Sequence, residues 1–316
     1  MIRFWFPSTL MFLVLGCGSS EAPAETLFGQ TDGGVSLDAG VPACTGKMAQ
    51  PTDDTWTVVS KATERTARVH VPASYDPTKP TAVVLNFHGY TSDATQQAIL
   101  SLMNAKADTE GFVVVYPQGL NNSWNAGACC GQSAMSAVDD VAFVADLLDT
   151  VDAKLCLDRR RVFSTGMSNG GFFSHRLGCE LATRIAAVAP VAGVLGVPMC
   201  EPARPVPVMH FHGTADQLVP YEGNPDLMFP PVPDTFAGWA QRDTCSGSPI
   251  ETFRNSDSHC STYRSCAGGA EVTLCTVDGG GHTWPGGTPI PTGYTTPFLS
   301  ATDAMWTFFT QHPLPD

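Results

Sequence analysis

Apolar residues in this chain come in short runs separated by glycine, proline and small polar residues, and the spacing within the runs changes along the sequence. Residues 55–60 and 65–72 alternate apolar with polar, the period of a strand with one face in water. They predict an antiparallel hairpin at a sheet edge. Residues 82–88, 112–116, 185–191, 206–212 and 271–277 are nearly continuous apolar runs, and so is the stretch leading to Met167. Such runs predict strands buried on both faces, as in parallel sheets. Helical spacing fills the intervals, at 93–109, 138–155, 172–181, 234–244 and 300–311. Strands alternating with helices predict an α/β fold, a mainly parallel sheet with helices on both faces. Residues 118–136 are a long loop, and the proline-rich stretch 220–233 predicts a rigid rim rather than a mobile lid.

The two ends of the chain differ. Arg3 and the apolar run behind it read as an export signal, too short for a comfortable membrane span. Leu13-Val14-Leu15-Gly16-Cys17 is similar to a bacterial lipobox, which implies cleavage after residue 16 and lipidation of Cys17. A plain secretory signal is the alternative. Residues 17–43 are small and polar without period, a tether. Residues 44–316 are long enough for one large domain.

Charge narrows the partners. The net charge is −13, and loss of Arg3 with residues 1–16 takes it to −14. That excludes electrostatic binding of nucleic acid or of anionic lipid headgroups. Membrane contact is expected only through the lipid, and the protein is expected to be a monomer on a neutral substrate. Ten of the eleven cysteines lie beyond Cys17, enough for five disulfides in an oxidising compartment. Cys129 and Cys130 are adjacent, and a trans peptide sets their Cα atoms about 3.8 Å apart, short for a disulfide. Each is therefore expected to pair elsewhere, with Cys179 and Cys200 as candidates. Cys245, Cys260, Cys266 and Cys275 are expected to pair among themselves. No Cys-x₂₋₄-Cys spacing supports zinc, so no metal and no cofactor is expected.

The chemistry centres on Gly166-Met167-Ser168-Asn169-Gly170-Gly171, between an apolar strand and a helical pattern. A turn this tight forces its central residue into a strained conformation and lifts the serine hydroxyl over a helix N-terminus. An ordinary glycine-rich turn would need no further partners. Here two partners follow in the order serine, acid, histidine expected of α/β hydrolases. They are Asp216, after the strand ending His212-Gly213, and His282, after Gly279–Gly281. All three lie just past the C-terminal ends of strands, where sites of open parallel sheets assemble. The roles are nucleophile, general base and the carboxylate that orients the base. The backbone N–H groups of Asn169 and Tyr90 are the expected oxyanion donors. Trp124 and Trp284, in loops on the same side, are expected to stack on substrate. His88, His210 and His212 read as structural histidines, and His175 is given no catalytic role.

Five stretches taken together resemble the polyhydroxybutyrate depolymerase–feruloyl/acetylxylan esterase group of secreted α/β hydrolases. They are the serine turn, Ser123-Trp-Asn-Ala-Gly127 with Cys129-Cys130-Gly131, Val138-Asp-Asp-Val141, His212-Gly-Thr-Ala-Asp216 and Gly281-His-Thr-Trp-Pro-Gly286. The resemblance implies an α/β-hydrolase fold, the Ser168/Asp216/His282 triad, oxyanion donors at Tyr90 and Asn169, and a cofactor-free acyl-enzyme route on esters attached to polymers. Feruloyl or acetyl esters of plant polysaccharide are the first expectation and polyhydroxybutyrate the second. An acyltransferase, or a non-enzymatic surface lipoprotein on a hydrolase scaffold, is the reading of another class.

Overall fold

The computed structural model describes residues 44–315. The expected signal, Cys17 and tether lie outside them. Among the described residues, ten strands, numbered in chain order, form one sheet in the order β1-β2-β4-β3-β5-β6-β7-β10-β9-β8. The middle six are β4 (Val113–Pro117), β3 (Thr81–Phe87), β5 (Leu157–Met167), β6 (Ala187–Val191), β7 (Val208–Gly213) and β10 (Val272–Val277), all mutually parallel. Their side chains are almost all buried, as continuous apolar runs require. β1 (Asp53–Ser60) and β2 (Thr63–His70) pair antiparallel at one edge as the expected hairpin. Their alternation sets Trp56, Val58, Ala67 and Val69 inward.

A second hairpin at the other edge, β8 (Ile250–Asn255) and β9 (Ser258–Tyr263), was not expected. Its buried face consists of Ser258, Cys260 and Thr262 rather than large apolar residues. Hydroxyls of Thr252, Thr262 and Thr273 bond to one another across it at 2.8 and 2.9 Å, and Cys260 is cross-linked to Cys275 of β10. Hydropathy carries no trace of such a face.

Helices cover both faces of the sheet. α1 (Ala94–Ser101), α2 (Met103–Glu110) and α7 (Ala301–Gln311) pack on one side, where Phe163 and Phe309 stack at 4.5 Å. On the other side lie α4 (Asp140–Lys154), α5 (Asn169–Glu180) and α6 (Val232–Arg242), with the short α3 (Gly131–Met135) in the 118–136 loop. Burial of each such aromatic ring stabilises by about 1.5–3 kcal/mol. The single helix expected over 93–109 breaks at Leu102, whose φ is 54°. The break is stabilised from outside the helix. Thr288 donates to the carbonyls of Ile99 and Leu100, and Thr302 donates to that of Ser101.

The ten cysteines among the described residues form five disulfides. Cys245–Cys266 and Cys260–Cys275 lie within the late group, as expected. Cys179 pairs with Cys200, and Cys44 with Cys156. Cys129 and Cys130 pair with each other, contrary to the expectation of separate partners. The peptide bond between them is cis, and their Cα atoms are 3.1 Å apart.

Candidate active site

β5 ends at Met167, and the chain turns at Ser168 with φ 56° and ψ −122° before α5 begins at Asn169. A positive φ on a non-glycine residue is strained, and the surrounding packing holds it. Ser168 N–H donates to Val191 O at 2.9 Å, and Ser168 O accepts from Phe172 N–H at 2.9 Å. The turn allows no Cβ at Gly170, which would lie 2.1 Å from Phe87 O, nor at Gly166, 2.6 Å from the same atom. The first N–H groups of α5 have no acceptor inside the helix, so the helix start faces the serine with donors.

The loop after β3 runs alongside. Gly89 sits so close that a Cβ there would meet Ser168 Cβ at 3.4 Å. His88 fixes this loop from beneath. It donates from Nδ1 to Gly89 O at 2.8 Å and accepts Gly119 N–H on Nε2 at 3.0 Å. Burial lowers its pKa, so it stays a neutral structural ring. The Asn169 side chain is engaged elsewhere. Its Oδ1 accepts Trp124 N–H at 2.7 Å and its Nδ2 donates to Trp124 O at 3.0 Å.

β7 delivers Asp216 and β10 delivers His282. Asp216 Oδ1 accepts the N–H groups of Leu218 and Val219 at 2.9 and 2.8 Å. Its Oδ2 accepts Nδ1–H of His282 at 2.7 Å. Both side chains are buried, so the bond is shielded from water. Burial pushes the Asp216 carboxyl up, but the hydrogen bond from His282, the polar rings of His282 and His212 beside it and the Val219 N–H outweigh it. The pKa settles below the ordinary value and the group stays ionised at neutral pH. With Nδ1 donating to the carboxylate, Nε2 of His282 is the free basic nitrogen.

His212 lies behind the acid. Its Nε2 donates to Val219 O at 2.8 Å and is 3.5 Å from Asp216 Oδ2. Its Nδ1 accepts from His210 Nε2 at 3.1 Å. His175 accepts Trp239 Nε1–H at 2.9 Å, and burial lowers its pKa to about 3. These three rings are fully buried and neutral.

Ser168 and His282 open onto one cavity of about 580 Å³, which Gly89 and Tyr90 also line. Asp216 is not in its wall but behind His282. Among the described residues, no aspartate, glutamate, lysine or arginine lines it. The rest of the wall is mostly apolar. It includes Leu227 and Phe229 from the proline-rich rim, Leu218, and the Cys129–Cys130 disulfide.

Two expected site residues are elsewhere. Trp124 and Trp284 are completely buried and do not reach the cavity. Trp124 stacks on Phe173 with ring centroids 5.2 Å apart and donates Nε1–H to His88 O at 3.0 Å. Trp284 donates to Thr302 Oγ1 at 3.0 Å. Both indole N–H groups are satisfied inside the protein, so the rings brace the loops rather than meet substrate. Leu227 and Phe229 belong to the proline-rich stretch expected as a rim, and Tyr90 was expected beside the serine. Leu218 and Ile290 were missed because single apolar positions in loops carry no period, and the adjacent cysteines were legible as a pair of residues but not as wall.

Residues 71–218 match the family described as esterase PHB depolymerase. The chain is 33% identical over 230 residues to feruloyl esterase B of Piromyces equi, covering 68% of this chain and 42% of that protein, so it spans about two fifths of that relative's length. It is 30% identical to the protein NocK of Nocardia uniformis subsp. tsuyamanensis, covering 91% of this chain and 90% of that one. Among solved structures it is similar to an acetyl xylan esterase from Aspergillus awamori. The TM-score is 0.57 at 16% identity, over 82% of this chain and 99% of that one. At that identity the likeness is one of fold, the α/β-hydrolase fold.

Proposed function

The chain belongs to the esterase PHB depolymerase family, and from that premise we propose that it is a serine carboxylic-ester hydrolase. One observation carries the reading. Ser168 and His282 share a cavity, and His282 is held from behind by Asp216 at 2.7 Å. Ser168 Oγ attacks the ester carbonyl carbon while His282 Nε2 takes the hydroxyl proton. The negative charge on the carbonyl oxygen is met by the N–H groups of Tyr90 and Asn169. The intermediate collapses, the C–O bond to the alcohol breaks, and His282 gives its proton to the departing oxygen. Water, deprotonated by His282, then attacks the acyl-enzyme, releases the acid and restores Ser168. Asp216 remains a carboxylate throughout.

The substrate is a neutral ester, since no fixed charge among the described residues lines the cavity to hold an ionic group. Feruloyl or acetyl esters of plant polysaccharide fragments fit this lining, and the names of the Piromyces relative and the Aspergillus structure point the same way. Hydroxybutyrate oligomers are the second reading, favoured by the family's description. The disulfides suit an extracellular location. Lipidation at Cys17 would tether the enzyme to the bacterial cell envelope.

The test compares product release from methyl ferulate, acetylated xylo-oligosaccharides and hydroxybutyrate oligomers by the protein and by Ser168→Ala. Release should fall about 10⁵–10⁶-fold in the variant, with one ester class clearly ahead in the parent. Equal rates in the two proteins would contradict the assignment.

A further inference from the structure

We infer that the Cys129–Cys130 disulfide is the part of the cavity wall that receives an aromatic acyl group, and that it sets acyl specificity. The inference rests on the serine-esterase reading above.

The pair stands beside the nucleophile. Both cysteines line the cavity that Ser168 and His282 share. Cys129 Sγ is 3.7 Å from Asn169 Nδ2, on the residue directly after Ser168. The other four disulfides join residues 15 to 112 apart in sequence and so cross-link the fold. Cys129 and Cys130 are one apart and close no loop. The entropic stabilisation that a disulfide brings by restricting the unfolded chain is therefore absent here. Its place in the cavity calls for a different role.

The wall is also held firmly. Ala126 N–H donates to Cys129 O at 3.0 Å, and Ala128 N–H to Gly196 O at 2.9 Å. Asn125 N–H donates to Asp140 Oδ2 at 2.8 Å, and Asp140 is paired with Arg65, both side chains being buried. On the other flank, Gly131 lies under the Tyr90 ring, so close that a Cβ there would fall 2.4 Å from Tyr90 Cε2. Ring and sulfurs thus adjoin as one surface.

That surface selects by chemistry. A disulfide has no charge and no N–H or O–H donor, but its sulfurs are polarisable, and divalent sulfur is attracted to aromatic rings. Sugar hydroxyls laid against it would lose their hydrogen bonds to water without replacement. The acid side of the ester belongs here, and an aromatic acid gains most. An acetyl group is too small to reach across the wall and gains little.

The test is the full chain carrying Cys129→Ala with Cys130→Ala, assayed on methyl ferulate and methyl acetate. The ratio of the two kcat/KM values should fall by about tenfold, a difference of about 1.4 kcal/mol, mainly through a higher KM for the ferulate. Equal proportional loss on both esters, or an unchanged ratio, would overturn the inference and leave the esterase reading intact. A parent protein inert toward both esters would remove that reading and the inference with it. If circular dichroism shows the double variant unfolded, crystals of Ser168→Ala soaked with methyl ferulate decide the matter. The ferulate ring should lie within about 4 Å of a Cys129 or Cys130 sulfur, and a ring lodged elsewhere would overturn the inference.

Discussion

The strand-end side of the cavity and its loop side are built on different principles. Ser168, Asp216 and His282 follow β5, β7 and β10, strands near the middle of one sheet. Backbone against backbone fixes them. A Cβ at Gly170 would lie 2.1 Å from Phe87 O, and one at Gly213 would lie 2.2 Å from Gly280 O. The opposite walls come from loops, and side chains such as Leu227, Phe229 and Cys130 form them. Leu227 is 48% exposed. Rigid scaffolds carry chemistry and loops carry selectivity, because a loop can change without disturbing the sheet.

The largest effect should come from adding one carbon on the strand-end side. Gly170→Ala drives a Cβ into carbonyl groups that cannot move aside. Loss of the folded protein, or of all ester hydrolysis, is expected by circular dichroism and assay. Leu227→Ala on the loop side removes more atoms, yet should change stability by only about 0.5 kcal/mol and act on KM alone. A mild Gly170→Ala beside a severe Leu227→Ala would break the contrast. Next in size, Asp216→Asn should keep the fold, because Oδ1 still accepts the Leu218 and Val219 N–H groups. It should lower kcat about 10⁴-fold by removing the acceptor that sets the His282 tautomer. Steady-state kinetics on a folded variant would show this, and a loss below tenfold would mean the carboxylate does not orient the base.

The change with the smallest effect on catalysis lies on neither side. Asp243, just past α6, is buried with one oxygen accepting Val206 N–H and the other unpartnered. Burial pushes its pKa up to about 7, against the pull of Arg204 and Arg242. From about pH 4 to about pH 7 the unfolded chain has lost this proton while the folded protein keeps it. The contribution to stability is therefore full below pH 4 and declines as pH rises through 7. Asp243→Asn should flatten that decline, measured as urea midpoints at pH 4.5 and 7.5, with no change in kcat. An identical decline in both proteins would contradict it.

What could be read from the sequence follows the same division. The central strands were visible because burial on both faces demands continuous apolar residues. The three strand-end residues were visible because a tight turn demands glycine around Ser168 and because Asp216 and His282 follow in order. The β8–β9 hairpin was not, since its buried face is held by hydroxyl bonds of Ser258 to Asp257 and Thr296 and of Thr262 to Thr252 and Thr273, and by the Cys260–Cys275 disulfide, instead of by hydropathy. Leu102 interrupts a good helical pattern because Thr288 and Thr302, far along the chain, capture the last carbonyls of α1. Trp124 and Trp284 looked available for stacking because loop position does not reveal that a loop dips into the core. The pairing of Cys129 with Cys130 is one that their adjacency in the sequence argued against.

The most direct test of the central claim is to trap the acyl-enzyme. The protein is mixed with methyl ferulate, quenched in acid and digested, and the peptide containing Ser168 is weighed. A feruloyl group on Ser168, absent from the Ser168→Ala protein, is the predicted result. Ester turnover with the Ser168 peptide unmodified, and undiminished in the Ser168→Ala protein, would contradict the account.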